Sequence, residues 1–96
     1  MPSKRLAAGA ASSKTRVQGG AVEVTIKNAP GILQRIVVAN VNAAVQTLTL
    51  TDGGTAQMVV RVPAGQTLSL AFGVEFDTSI KVTPSHADVD ALVIYD

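Results

Sequence analysis

From Ala21 onward the chain repeats one local pattern, a short run of alternating apolar and polar side chains closed by a cluster of Gly, Pro, Asp or Asn. Val22, Val24 and Ile26 alternate with Glu23, Thr25 and Lys27, and Leu48 and Leu50 alternate with Thr47, Thr49 and Thr51. Leu68, Leu70 and Phe72 alternate with Thr67, Ser69 and Ala71. A period of two places one set of side chains on each face of an extended strand, whereas a helix needs a period near 3.6. The residue types agree with the period. Residues 21–96 contain 13 Val, 5 Ile and 8 Thr, about a third of the segment, and β-branched side chains fit a pleated surface better than a helix.

The punctuation is equally regular. Asn28-Ala29-Pro30-Gly31 reads as a turn with Pro at the second position of the bend and Gly supplying positive φ at the third. Asp52-Gly53-Gly54 reads as a hairpin turn, and Pro63-Ala64-Gly65-Gln66 as another. Gly73 marks a bulge or bend inside an otherwise continuous run. The predicted strands cover 21–27, 32–40, 44–51, 58–62, 67–72 with a continuation to Phe76, 79–83 and 89–95. The expected fold is therefore all-β, a small antiparallel sandwich or jelly-roll-like barrel of seven or eight short strands.

Residues 1–20 differ in character. They hold Lys4, Arg5, Lys14 and Arg16 with no acidic residue, a charge of +4, and Leu6 and Val17 are their only branched apolar side chains. The other 76 residues hold four basic and seven acidic side chains, a charge of −3. This reads as a flexible basic arm, 1–20, ending in the Gly19-Gly20 pair, joined to one β domain, 21–96. The four basic residues are the candidate docking groups of the arm. They offer a few contacts to phosphate, but no aromatic residue interleaves with them to stack bases and the domain is acidic. A protein partner is the better expectation than nucleic acid. The apolar run 6–11 is shorter than a signal-peptide core, and no run approaches the ~18 apolar residues of a membrane helix.

Chemistry-bearing patterns are weak. There is no Cys, so disulfides and thiolate metal sites are excluded. His86, Asp88 and Asp90 would share one face of an extended chain, as an imidazole and two carboxylates around a metal would, but they equally form the wet side of a strand. Ser85 and His86 are neighbours on a strand and point to opposite faces. Glu75 and Asp77 flank Phe76 on one face, which also marks a solvated edge. The reading is of a protein that is not an enzyme and that needs no cofactor or metal.

Three segments break the alternation. Ile36-Val37-Val38-Ala39, Met58-Val59-Val60 and Ala91-Leu92-Val93-Ile94-Tyr95 carry apolar groups on both faces. A domain this small buries only about 60% of its unfolded surface and has little material to cover a second face. Leaving groups such as Leu92 and Ile94 in water forfeits roughly 1.5–3 kcal/mol each relative to burial. A homo-oligomer is expected, with Ile36, Val38, Val59, Leu92 and Ile94 at the subunit interface.

Gly31-Ile32-Leu33-Gln34-Arg35-Ile36-Val37-Val38, then Leu48-Thr49-Leu50-Thr51-Asp52-Gly53 and Pro63-Ala64-Gly65-Gln66, resemble small all-β structural proteins of tailed bacteriophages. Phe72-Gly73-Val74-Glu75-Phe76-Asp77-Thr78-Ser79-Ile80 and the Val-Ile-Tyr end extend the likeness over about two-thirds of the chain. The chain departs from that pattern at Ser79, where Gly is common, and at Thr51, where an aromatic is common. The resemblance implies a virion component made in the host cytoplasm. It points to a capsid decoration (cement) protein, commonly trimeric, held on the major capsid or another virion protein through several contacts at once. A neck or tail position is the close alternative, and a small carbohydrate-binding module the alternative of a different class. No membrane partner is implied.

Overall fold

A computed structural model describes residues 13–96. Regular structure among them is entirely strand, in the order β1 (Ser13–Val17), β2 (Val24–Lys27), β3 (Gly31–Asn40), β4 (Gln46–Asp52), β5 (Thr55–Val62), β6 (Thr67–Phe76), β7 (Ile80–Pro84) and β8 (Val89–Tyr95). The first strand pairs with the last, β2 with β7, β3 with β6 and β4 with β5, all antiparallel. That nesting is what one long hairpin, turning between β4 and β5, produces when it is rolled across itself. The roll splits into two four-stranded sheets, β1-β8-β3-β6 and β2-β7-β4-β5, bridged laterally by the β3–β8 and β4–β7 pairs. The expected antiparallel sandwich of the jelly-roll kind is what the chain forms.

Alternation decides which residues fill the space between the sheets. Leu33, Ile36, Val38, Val89, Ala91 and Val93 come from the first sheet, and Leu48, Leu50, Val62, Ile80 and Val82 from the second. Phe76, the last residue of β6, is buried with them. The period slips where it must. Gln34 is an extra residue on β3 between Leu33 and Arg35 relative to β8, and Phe72 and Gly73 stand opposite it on β6. Gly73 has φ of 70°, so the bend predicted there is a bulge. The slip returns Ile36 and Val38 to the core side, both fully buried. Their expected place at a subunit interface is thereby corrected, because they are interior residues of the chain's own sandwich.

Two other expectations change. Ser13–Val17, read as part of the arm, is an edge strand with Arg16 opposite Leu92 and Val17 opposite Ala91. Val17 is buried, which explains why five residues hold to the sheet: Thr15 and Val17 alternate with Lys14 and Arg16. Lys4 and Arg5 lie outside the described residues. Gly31 is not a positive-φ turn residue but the first residue of β3. A side chain there would place Cβ 2.7 Å from the Asp96 carbonyl oxygen, and 2.9 Å from the Lys27 side chain. Gly31 is thus demanded by close packing against the end of β8.

The predicted turns at the other two sites form. Gly53 takes φ of 62° between β4 and β5, and Gly65 takes 70° in the bend from β5 to β6, where Gln66 N–H donates to the Pro63 carbonyl at 3.2 Å.

Candidate interaction surface

The two sheets end together at one side of the sandwich, where β6 and β5 are both edge strands. Leu68, Leu70 and Phe72 of β6 pack against the core yet stay partly exposed, because no strand lies beyond them. Met58 stands opposite the buried Leu50, so its side chain faces the interior, yet it is 49% exposed. Val74, opposite buried Leu33, is 47% exposed. Between them lies a depression of ≈ 150 Å³ whose floor is Leu33, Leu50 and Phe76 and whose rim is Gln57, Met58, Phe72 and Val74. Val59, on the outer face of the same edge, is 54% exposed. This is the predicted interface residue that the structure leaves most open.

The outer face of the first sheet carries a second apolar area. Across the strands, Arg16, Leu92, Val37 and Ser69 form one row, and Lys14, Ile94, Arg35 and Ala71 the next. Leu92 and Ile94 are half-buried there. A shallow depression of ≈ 270 Å³ is lined by Arg16, Val37, Ala39, Asp90, Ala91 and Leu92. Lys14, Arg16 and Arg35 stand across from Leu92 and Ile94 or beside them in these rows, and aliphatic stems of this length can cover apolar neighbours while the charge stays in water.

Arg16 is not an unpaired charge. Its Nε donates to Asp90 Oδ1 at 3.2 Å and its Nη2 to Asp90 Oδ2 at 2.6 Å, a bidentate pair across β1 and β8. The hydrogen bonds and charge of Asp90 raise the Arg16 pKa, and Arg16 holds Asp90 below the ordinary carboxylate range. The basic residue that reads as a docking group therefore also ties β1 to β8. Arg35 donates to Ser69 Oγ at 2.8 Å.

The His86, Asp88 and Asp90 set does not converge. Residues 85–88 form a bend and turn, so the extended alternation assumed for them fails. Asp90 is engaged by Arg16, while His86 Nδ1 accepts the Asp88 N–H at 3.0 Å. Asn42 Nδ2 donates to Asp88 Oδ2 at 3.1 Å, which makes the cluster a clamp between two loops. Among the described residues no group of three or more His, Cys, Asp or Glu is placed to hold a metal ion. Asp77 lies beyond the end of β6, and its backbone N–H is bound by Asp52, so Glu75 and Asp77 are not a pair on one strand.

Sequence reasoning missed Asn40. It is fully buried, and its Nδ2 donates to the carbonyls of Ala44 and Val62 at 2.9 Å each, while its Oδ1 accepts the Asn42 N–H at 2.9 Å. Its only sequence signal is a polar residue at an inward position of an apolar run.

Compared with known proteins, the chain matches no family model, no curated protein and no solved structure.

Proposed function

We propose that the protein is a non-enzymatic structural module of a phage virion, a capsid decoration protein that self-associates and docks on the head surface. The observation that carries this reading is the open side of the sandwich, where interior-facing Met58, Phe72 and Val74 remain in contact with water. An apolar surface of this kind, on a chain rich in apolar groups, is stabilised by covering it with another protein surface. Opposite it, the β1 edge presents Lys14 and Arg16, which supply polar contacts to a larger assembly. The bacteriophage resemblance in the segments 31–38 and 63–95 supports a phage head as that assembly.

Sedimentation velocity at micromolar concentration tests the first half: a multimer is expected, and a monomer rejects self-association. Quantitative mass spectrometry of purified virions tests the second. Many copies per particle are expected, and absence from the particle rejects the virion role.

A further inference from the structure

The β1 strand is seated by its side chains but barely tethered to the chain that follows it. Among the described residues it pairs with β8 alone, from Ser13↔Tyr95 to Val17↔Ala91. Three side chains hold it in place. Val17 is buried in the core, Thr15 Oγ1 lies 3.3 Å from the Tyr95 hydroxyl, and Arg16 makes its two hydrogen bonds to Asp90. The slot along β8 is thus fitted to one short sequence, Ser13–Val17.

The link behind that strand carries little. Residues 18–23 run from the edge of one sheet to β2 at the edge of the other, and five of these six residues are exposed, Val22 by 64%. Among the described residues no loop or side-chain hydrogen bond reaches 18–22, and Glu23 meets Lys81 at 3.9 Å. Gly19 turns with φ of 80°, and no atom lies within 4 Å of where its Cβ would stand. Six residues span up to ~20 Å when extended, against ~10 Å between packed sheets. Straightening the turn at Gly19 therefore sacrifices no packing in the link and lets it carry β1 beyond its own β8.

We infer that the β8 edge is a strand-acceptor site and that its occupant in the assembled protein is β1 of a second copy. Exchange of an identical element keeps the β1–β8 register, the Val17 seat and the Arg16–Asp90 pair. Closed and exchanged forms then differ in the hinge and in the number of chains joined. Reciprocal exchange closes a dimer, and cyclic exchange closes a ring. This rests on the proposed self-association and specifies what one copy gives the next.

The chain has no Cys, so an introduced pair reports alone. Thr15 and Val93 are register partners, and Val93 is fully buried, so a second chain reaches it only through the slot along β8. Opposed positions on paired strands hold their Cβ atoms about 4.5–5.5 Å apart, near the reach of a disulfide. Thr15→Cys and Val93→Cys proteins, made as single variants, are refolded together at a concentration where the unsubstituted protein is a multimer, then oxidised. A 15–93 disulfide joining the two chains is expected. Its absence from a multimer that holds both variants overturns the exchange while self-association stands, and a monomeric unsubstituted protein rejects both.

Gly19→Val gives an independent reading. A β-branched residue strains the closed turn at positive φ but not an extended link, so the dissociation constant of the multimer is expected to fall roughly fivefold or more. Gly65→Val places the same strain in a bend that is not the hinge, again with nothing within 4 Å, and is expected to leave association unaltered. Unchanged or weaker association of Gly19→Val, or an equal gain in Gly65→Val, overturns the exchange.

Discussion

The Asp52 carboxylate holds the backbone N–H of Thr78 at 2.8 Å through Oδ1, although 26 residues separate them. The same oxygen accepts the Ser79 N–H at 3.2 Å, and Oδ2 accepts the Asp77 N–H at 2.8 Å. Ser79 answers by accepting the Gly53 N–H on its Oγ at 3.1 Å. Asp52 therefore does more than start a hairpin; it fastens that hairpin to the connection between β6 and β7.

These backbone hydrogen bonds, that of Asp77 foremost, hold the Asp52 pKa below its ordinary value. A carboxylate whose folded pKa is depressed contributes stability that is fully present above the unfolded value of about 3.9 and is lost as pH falls through the folded value. Thermal melts between pH 2 and pH 7 are expected to show Tm falling on the acid side. Asp52→Asn removes part of that fall because the amide does not titrate, and Asp52→Ala lowers Tm across the whole range. An acid limb identical in Asp52→Asn and the unsubstituted protein would assign the fall to other groups, such as Asp90.

Gly31 marks the point where β3 meets the end of β8. Ile32 N–H donates to the Asp96 carbonyl at 3.2 Å, and Asp96 N–H donates back to the Ile32 carbonyl at 2.9 Å. Gly31→Ala forces Cβ into that carbonyl oxygen, and overpacking of this kind costs about 1–3 kcal/mol. Gly54→Ala, where nothing lies near the added carbon, is the matched control and is expected to cost less. Denaturant unfolding of the two variants separates them.

Strands β2 to β8 and the turns at Gly53 and Gly65 were legible in the sequence because they depend on neighbours along the chain. Leu48 and Leu50 lie inward and Thr49 outward, as their alternation requires. Side assignment failed where a long-range feature intervened. The extra residue at Gln34 reset the phase, so that Ile36 and Val38 face the core while Val37 and Ala39 face out. Nothing local to that apolar run distinguishes the two faces. The β1 strand was hidden for the same reason: its alternation spans five residues, and its partner β8 lies at the far end of the sequence. The surface itself was half legible. Val59 stays exposed, whereas the open mouth around Met58, Phe72 and Val74 depends on where both sheets stop, which only the roll of the hairpin decides.

Asn40 ties the β3–β4 connection to the end of β5 through the carbonyls of Ala44 and Val62, and the bond to Val62 is buried. Asn40→Ala leaves those groups and the Asn42 N–H short of partners, at a cost of about 1–3 kcal/mol in unfolding free energy. Asn40→Asp is expected to be at least as damaging, because a carboxylate donates nothing to two carbonyls and is desolvated there. Equal stability of both variants with the unsubstituted protein would remove Asn40 from the set of structural determinants.

The strand character of residues 13–17 changes what a truncation reports. Removing residues 1–17 deletes β1 and the Arg16–Asp90 pair, and uncovers the part of the core that Val17 seals, whose side chain alone contributes about 1.5–3 kcal/mol by burial. Removing residues 1–12 leaves all of these in place. The shorter deletion is therefore expected to retain the Tm of the full chain, and the longer one to lower it by several degrees, on the order of 4–8 °C per kcal/mol lost for a domain of this size. Val17→Ala in the full-length chain is expected to fall between them. A docking assay on the 1–12 deletion then reports on the segment that holds Lys4 and Arg5 with β1 retained, and loss of docking only in the 1–17 deletion would place the contact on β1. Equal melting of the two truncated forms would show that β1 adds nothing to the stability of the sheet it borders.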